Sequence, residues 1–151
     1  MSVGYSGTPL PRKLGIKEGS RVAILDAREE FVATLSPLPV GVEVITRTSG
    51  HLDVVVVFAT RQAALERRLD ATVRALEPDG GLWLCWPKKA SKVETDLTFD
   101  IVQRLGLEAG LVDNKSASID DVFQGLRFVY RLKDRPAAAV RPRTTRRRST
   151  R

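Results

Sequence analysis

Trp86-Pro87-Lys88-Lys89 sets an aromatic ring beside two ammonium groups within four residues. An indole can stack on a planar ring, and lysine ammonium groups act as point charges toward phosphate or carboxylate. The tetrapeptide closes the apolar run Leu82 to Trp86, which reads as a strand, so it falls at a carboxyl strand end, where open α/β sheets gather their ligands. Asp26 closes another such run, Arg21 to Asp26, and Thr60 follows a third, Leu52 to Ala59. Asp26, Thr60, Trp86, Lys88 and Lys89 are therefore candidates for one ligand site, to which Lys115 and Asp113 would add from a later strand. An acidic small molecule or a protein segment fits that set. Each member also has a plainer reading. Trp86 can be core with the lysines on a solvated turn, and Asp26 can cap the helix that follows it, with Glu29 and Glu30 in its first turn.

Several kinds of chemistry lack their residues. One cysteine, Cys85, excludes an internal disulfide, and with a single histidine, His51, it leaves too few soft ligands for a structural zinc site. Cys85 sits inside LWLCW, where it reads as a small buried hydrophobe. His51 follows a Ser-Gly turn, and no phosphate loop or nucleophile elbow occurs. No catalytic residue and no cofactor are assigned, and a non-catalytic binding or regulatory protein is the leading reading. An enzyme, a transferase with an unrecognised site, is the alternative.

The net charge of +7 is concentrated at one end. Arg141, Arg143, Arg146, Arg147, Arg148 and Arg151 stand in the last sixteen residues without an acid, and the remainder holds 19 basic against 18 acidic residues. Polyanion binding is thus a property to expect of the tail: weak, salt-sensitive and indifferent to nucleic-acid sequence. That gives a third reading, a nucleic-acid-associated protein. The longest apolar run, Val54 to Ala59, is far below a bilayer span, and residues 1–8 carry no secretory pattern, so a cytoplasmic protein without a membrane partner is expected.

The elements that must position these residues follow from period and punctuation. Thr8-Pro9 reads as cap and first residue of a short helix stopped by Gly15. Strands are predicted at 21–26, 42–46, 52–59 and 82–86, with helices at 28–35, 61–76 and 95–105 between them. Pro78-Asp79-Gly80-Gly81 is the turn before the fourth strand, and Gly106 caps the third of these helices. Leu111 to Ile119 and Leu126 to Leu132 are too close for a crossover helix, so they form an antiparallel hairpin. The prediction is an α/β, Rossmann-like three-layer sandwich whose mostly parallel sheet of about six strands ends in that hairpin. It spans residues 21–134, between an N-terminal arm with a short helix (1–20) and a disordered arginine-rich tail (135–151).

Over residues 21–132 this order resembles class I methyltransferases. Asp53 to Thr60 is similar to that family's fourth strand, Leu76 to Gly81 with Leu82 to Trp86 to its helix end, turn and fifth strand, and the hairpin to its final pair. The resemblance implies a glycine-rich turn after the first strand, where bare main chain lets a methyl donor approach. Here that turn is Asp26-Ala27-Arg28-Glu29-Glu30. The resemblance also implies an acid at the end of the second strand, where Thr46-Arg47 stand, with Glu43 further back. S-adenosylmethionine and NAD are therefore not expected as cofactors. Tyr5-Ser6-Gly7-Thr8-Pro9-Leu10, Lys13-Leu14-Gly15-Ile16 and Trp86-Pro87-Lys88-Lys89 more closely resemble a bacterial, chiefly actinobacterial, family, domain of unknown function 3052, which implies no activity.

Overall fold

The run LDVVVVF has no polar face, and a strand of this kind is stable only where both sides of the sheet are covered. In the computed structural model, which describes residues 8–134, it is β3 (Leu52–Phe58), buried along its whole length. β1 (Arg21–Leu25) and β2 (Glu43–Ile45) lie to one side of it, and β4 (Leu76–Pro87), β6 (Phe123–Tyr130) and β5 (Leu111–Ser118) to the other. The sheet order is β2-β1-β3-β4-β6-β5. The first four strands are parallel, and β6 runs antiparallel to both β4 and β5. The α/β sandwich with a terminal hairpin is thus the observed architecture.

The two faces are covered unequally. On one, α2 (Gln62–Ala75) and α3 (Phe99–Glu108) pack Leu65, Leu69, Val102 and Leu105 onto Val55, Val57, Leu84, Trp86 and Phe128. Among the described residues the other face has α1 (Leu10–Leu14) and a 3₁₀ turn (Glu29–Leu35), which cover Val22, Ile24, Val56, Phe58 and Trp83. Trp83 donates its indole N–H to the Leu14 carbonyl at 3.0 Å, which fixes α1 to the sheet. Among the described residues no helix is long and apolar enough to cross a membrane.

Local chemistry corrects several expected boundaries. The first helix starts at Leu10, with Pro9 rather than Thr8 in the cap position, and Gly15 ends it in the left-handed conformation. Residues 29–35 wind as 3₁₀ rather than α, a form suited to a short connector stopped by prolines. Pro78 to Gly81 is no turn. β4 begins at Leu76, directly after α2, and the extra residues bulge opposite Asp53, between the pairs Leu52 with Leu76 and Val54 with Gly81. Gly106 does not cap α3 but lies inside it, because the Phe128 ring occupies the space where a side chain would stand, 2.0 Å from an added Cβ. The hairpin is tighter than its sequence suggests. The Asp120 carboxylate accepts from the N–H groups of Val122 and Phe123 at 2.9 and 2.7 Å, so β6 starts at Phe123 instead of Leu126. The proposed arm over residues 1–7 and the tail over 135–151, with Arg141, Arg143, Arg146, Arg147, Arg148 and Arg151, lie outside the described residues.

Candidate functional site

β1 has β2 on one side and β3 on the other, so the chain reverses direction across the sheet there, and the crevice beyond the carboxyl ends of β1 and β3 is where this fold offers a binding site. Side chains bridge it on both faces. On the α2 side, Asp26 leaves β1 with φ of 62° and accepts two hydrogen bonds from Arg68 of α2, both at 2.8 Å. This fork geometry is the strong form of a carboxylate pair. The Arg68 hydrogen bond holds the Asp26 carboxyl below its ordinary range against a smaller opposing effect of burial. Asp26 therefore caps no helix. Arg28 precedes the 3₁₀ turn and supplies no side-chain cap, while Glu29 and Glu30 do occupy the first turn.

On the opposite side the turn after β1 folds back, and Phe31 meets Phe58 at the end of β3, edge to face with centroids 4.8 Å apart. Phe58 meets Phe123 of β6 in the same way at 5.0 Å. Over this aromatic row Arg28 pairs with Asp120 at 3.3 Å and lies 5.8 Å from the Phe123 ring centroid. Glu43 is at the start of β2, paired with Arg21 at 3.2 Å, so it sits at the end of the sheet away from the crevice.

One strand further on, a cleft of about 750 Å³ opens at the carboxyl end of β4. Trp86, Lys88 and Lys89 all line it, joined by Lys92, Val93, Leu97, Phe99 and Gln124. Trp86 is 3% exposed and serves both readings given to it, core residue and cleft floor. Its ring meets Phe99 of α3 at 6.4 Å, inclined by 68°. Among the described residues no hydrogen bond or ion pair engages the ammonium groups of Lys88, Lys89 or Lys92. Two carboxylates, Glu94 and Asp100, also line the cleft.

The cleft wall is a loop, residues 88–98, strapped to the junction of β3 and α2. Thr95 donates its hydroxyl to the Thr60 carbonyl at 2.6 Å, and the Asp96 carboxylate accepts from the Gln62 N–H at 2.8 Å, capping α2 from outside. Thr60 thus enters the site through its backbone as an anchor of the wall. At the other end the Lys88 N–H donates to the Val122 carbonyl at 2.7 Å and Gln124 donates to the Pro87 carbonyl at 3.3 Å.

Lys115 does not join this group. A register shift lies between Asp113 and Lys115, and it sends the two side chains to opposite faces of the sheet. Asp113 turns to Gln103 of α3, whereas Lys115 donates to the Lys13 carbonyl of α1 at 3.1 Å. Asp26 is likewise separated from the cleft by its pairing with Arg68. Residues the sequence reading passed over include Arg68, which looks like one more outer arginine of an amphipathic helix, and Phe99, an aromatic left out of the stripe Leu97, Ile101, Val102 and Leu105. That omission was the legible signal. Cys85 is fully buried, and burial pushes its thiol well above the ordinary value, aided by Asp120. Among the described residues no three His, Cys, Asp or Glu side chains group as metal ligands.

No family model and no curated protein matches the sequence. Solved structures do match the fold. The N-methyltransferase NodS from Bradyrhizobium japonicum is similar with a TM-score of 0.53 and 15% identity, covering 79% of this chain and 90% of that one. A TehB-like SAM-dependent methyltransferase from Corynebacterium glutamicum is similar with a TM-score of 0.51 and 11% identity, over 85% and 90%. The magnesium protoporphyrin IX methyltransferase of Synechocystis, solved with bound SAH, is similar with a TM-score of 0.52 and 10% identity, over 76% and 75%. Against two other matched structures this chain spans about half of their length, 47% and 49%. At such identities the likeness is one of fold, and the fold is that of class I methyltransferases.

Proposed function

We propose that this chain is a non-catalytic binding or regulatory protein, a methyltransferase-like fold whose cofactor crevice has been filled and whose ligand site lies instead in the cleft beside Trp86. The observation that carries this reading is the bridging of the β1 and β3 ends from both faces, by Asp26 with Arg68 and by Phe31 with Phe58. A methyl donor needs main chain it can approach, and this turn offers carboxylates, a guanidinium and a phenyl ring in its place. The end of β2 adds no acid to hold ribose hydroxyls, because Glu43 is at the other end of the strand and spent on Arg21. S-adenosylmethionine therefore does not fit the residues present.

The ligand of this reading is an acidic small molecule held by Lys88, Lys89 and Lys92. The partner of the tail arginines is any polyanion, at low affinity. A single buried cysteine suits a reducing cytoplasm. Membership of the domain of unknown function 3052 family is part of the same proposal and rests on the resemblance of Tyr5 to Leu10, Lys13 to Ile16 and Trp86 to Lys89. Thermal-shift and calorimetric titration of the full chain with S-adenosylmethionine, nucleotides and dicarboxylates tests the reading. Stabilisation by an anion, lost in the Lys88→Ala, Lys89→Ala double variant, is the expected result. Saturable binding of S-adenosylmethionine that Arg68→Ala or Phe31→Ala alters would return the protein to the enzymes.

A further inference from the structure

The three cations of the cleft lie within five residues of one loop, and no hydrogen bond or ion pair in the described protein engages their ammonium groups. Lysines of this kind present separate, rotatable point charges. A carboxylate is best gripped by the planar fork of arginine, whereas the three terminal oxygens of a phosphate monoester can each take a different ammonium group. With Glu94 and Asp100 included, the lining carries three positive and two negative groups, Glu94 being paired with the exposed Arg61 at 3.9 Å. That balance suits one compact anionic group accompanied by hydroxyls for the carboxylates to accept, and it disfavours a polyanionic strand, whose phosphates would meet both acids.

The same cleft also spends apolar surface on solvent. Phe99 is 44% and Val93 40% exposed, two of the five large hydrophobic residues left open on the described surface, and they line the wall beside the buried Trp86. An exposed ring in the same cleft as ammonium groups without an ion pair marks a recognition surface more than a solvated turn. The cleft volume lies within the roughly 300–1,000 Å³ usual for small-ligand sites.

Resting on the anion-binding reading above, we infer that the cleft takes a phosphorylated ligand carrying a planar ring, the nucleoside monophosphate being the type: the phosphate sits on Lys88, Lys89 and Lys92, and the ring packs against Phe99 over the Trp86 floor. Titration calorimetry on the full chain tests it, with adenosine and guanosine monophosphates, the two nucleosides, inorganic phosphate and succinate as probes. At least one monophosphate binds about tenfold or more tightly than phosphate or either nucleoside alone, a gap of about 1.4 kcal/mol. Lys88→Ala with Lys89→Ala removes that gain and reduces the salt dependence. Phe99→Ala weakens the monophosphate several-fold and leaves inorganic phosphate unchanged. Lys92→Ala, on the exposed loop, repeats the charge test should the double variant fold poorly.

The outcomes separate the two levels of the argument. Phosphate binding as tightly as the nucleotide, or a Phe99→Ala variant with full nucleotide affinity, overturns the ring while leaving an anion site. Succinate preferred to every phosphate overturns the phosphate assignment alone. If no anion binds above background at low salt, the functional reading itself falls with it.

Discussion

At the carboxyl end of β1 the side chains of Asp26 and Phe31 are paired, and at the carboxyl end of β4 a cleft opens. Both places begin as a buried strand followed by a polar turn. They differ in where the neighbouring side chains are committed. The acid after β1 is held by a guanidinium from α2, and the ring two positions beyond Glu29 packs against the sheet, so charge and apolar surface are both satisfied internally. Past β4 the loop is secured through backbone groups and through Thr95 and Asp96, which leaves its lysines and the Phe99 ring unsatisfied. The fold therefore fixes where crevices can occur, while side-chain pairing decides which groups each one presents.

That contrast can be broken by substitution. The largest effect is expected at Phe58, the middle ring of the aromatic row beside the β1 end. Phe58→Ala removes both edge contacts and leaves a cavity, at a cost of about 3–5 kcal/mol, read as a lowered urea midpoint. A loss below about 1 kcal/mol would mean the aromatic row is not what seals this end. Next comes the open cleft. Lys88→Ala with Lys89→Ala lowers anion affinity about tenfold yet shifts folding stability by no more than about 0.5 kcal/mol, since neither ammonium group holds the fold together. Equal losses in stability and in binding would place these lysines in the scaffold instead.

Arg68→Ala sharpens the comparison through pH. Both partners are substantially exposed, so the loss is held to about 1 kcal/mol or less. Its sign is set by Asp26, whose folded pKa lies below the unfolded value near 3.9. Stability from the pair is fully present above the unfolded pKa and disappears as pH falls through the folded one. Denaturation curves of wild type and Arg68→Ala should accordingly stay separated at neutral pH and converge below about pH 4. A gap that persists under acid would mean packing, not charge, ties this turn to α2. Smallest of all is the effect of removing residues 136–151 on folding and on the cleft. Thermal midpoint and anion affinity are expected to stay unchanged, while weak DNA binding, measured by its salt dependence, is lost. DNA affinity that survives the truncation at physiological salt would move the polyanion site into the folded body.

The elements were legible because each carries its own period. LDVVVVF could only be a doubly covered strand, and the alternation of such runs with amphipathic helices called for a parallel sheet. Errors arose where distant residues override local signals. Gly106 looks like a cap until Phe128 arrives from β6 to occupy the missing side chain, and Pro78 to Gly81 looks like a turn until the bulge opposite Asp53 draws it into β4. Half of the candidate residues fall together, again for a local reason. Trp86, Lys88 and Lys89 form one contiguous motif at a strand end, whereas Lys115 was misplaced by a single register shift that turned it to the other face.

By itself the sequence determined the order of most elements, the shortage of soft ligands for a structural zinc site, and the missing glycine after β1, because these depend on residue identity and short-range geometry. Only the tertiary structure decided which side chains meet beyond the ends of the strands. Asp26 meets Arg68 across 42 positions and Phe58 meets Phe123 across a still longer separation, and no local pattern encodes a contact that exists only once the sheet has brought its strands together.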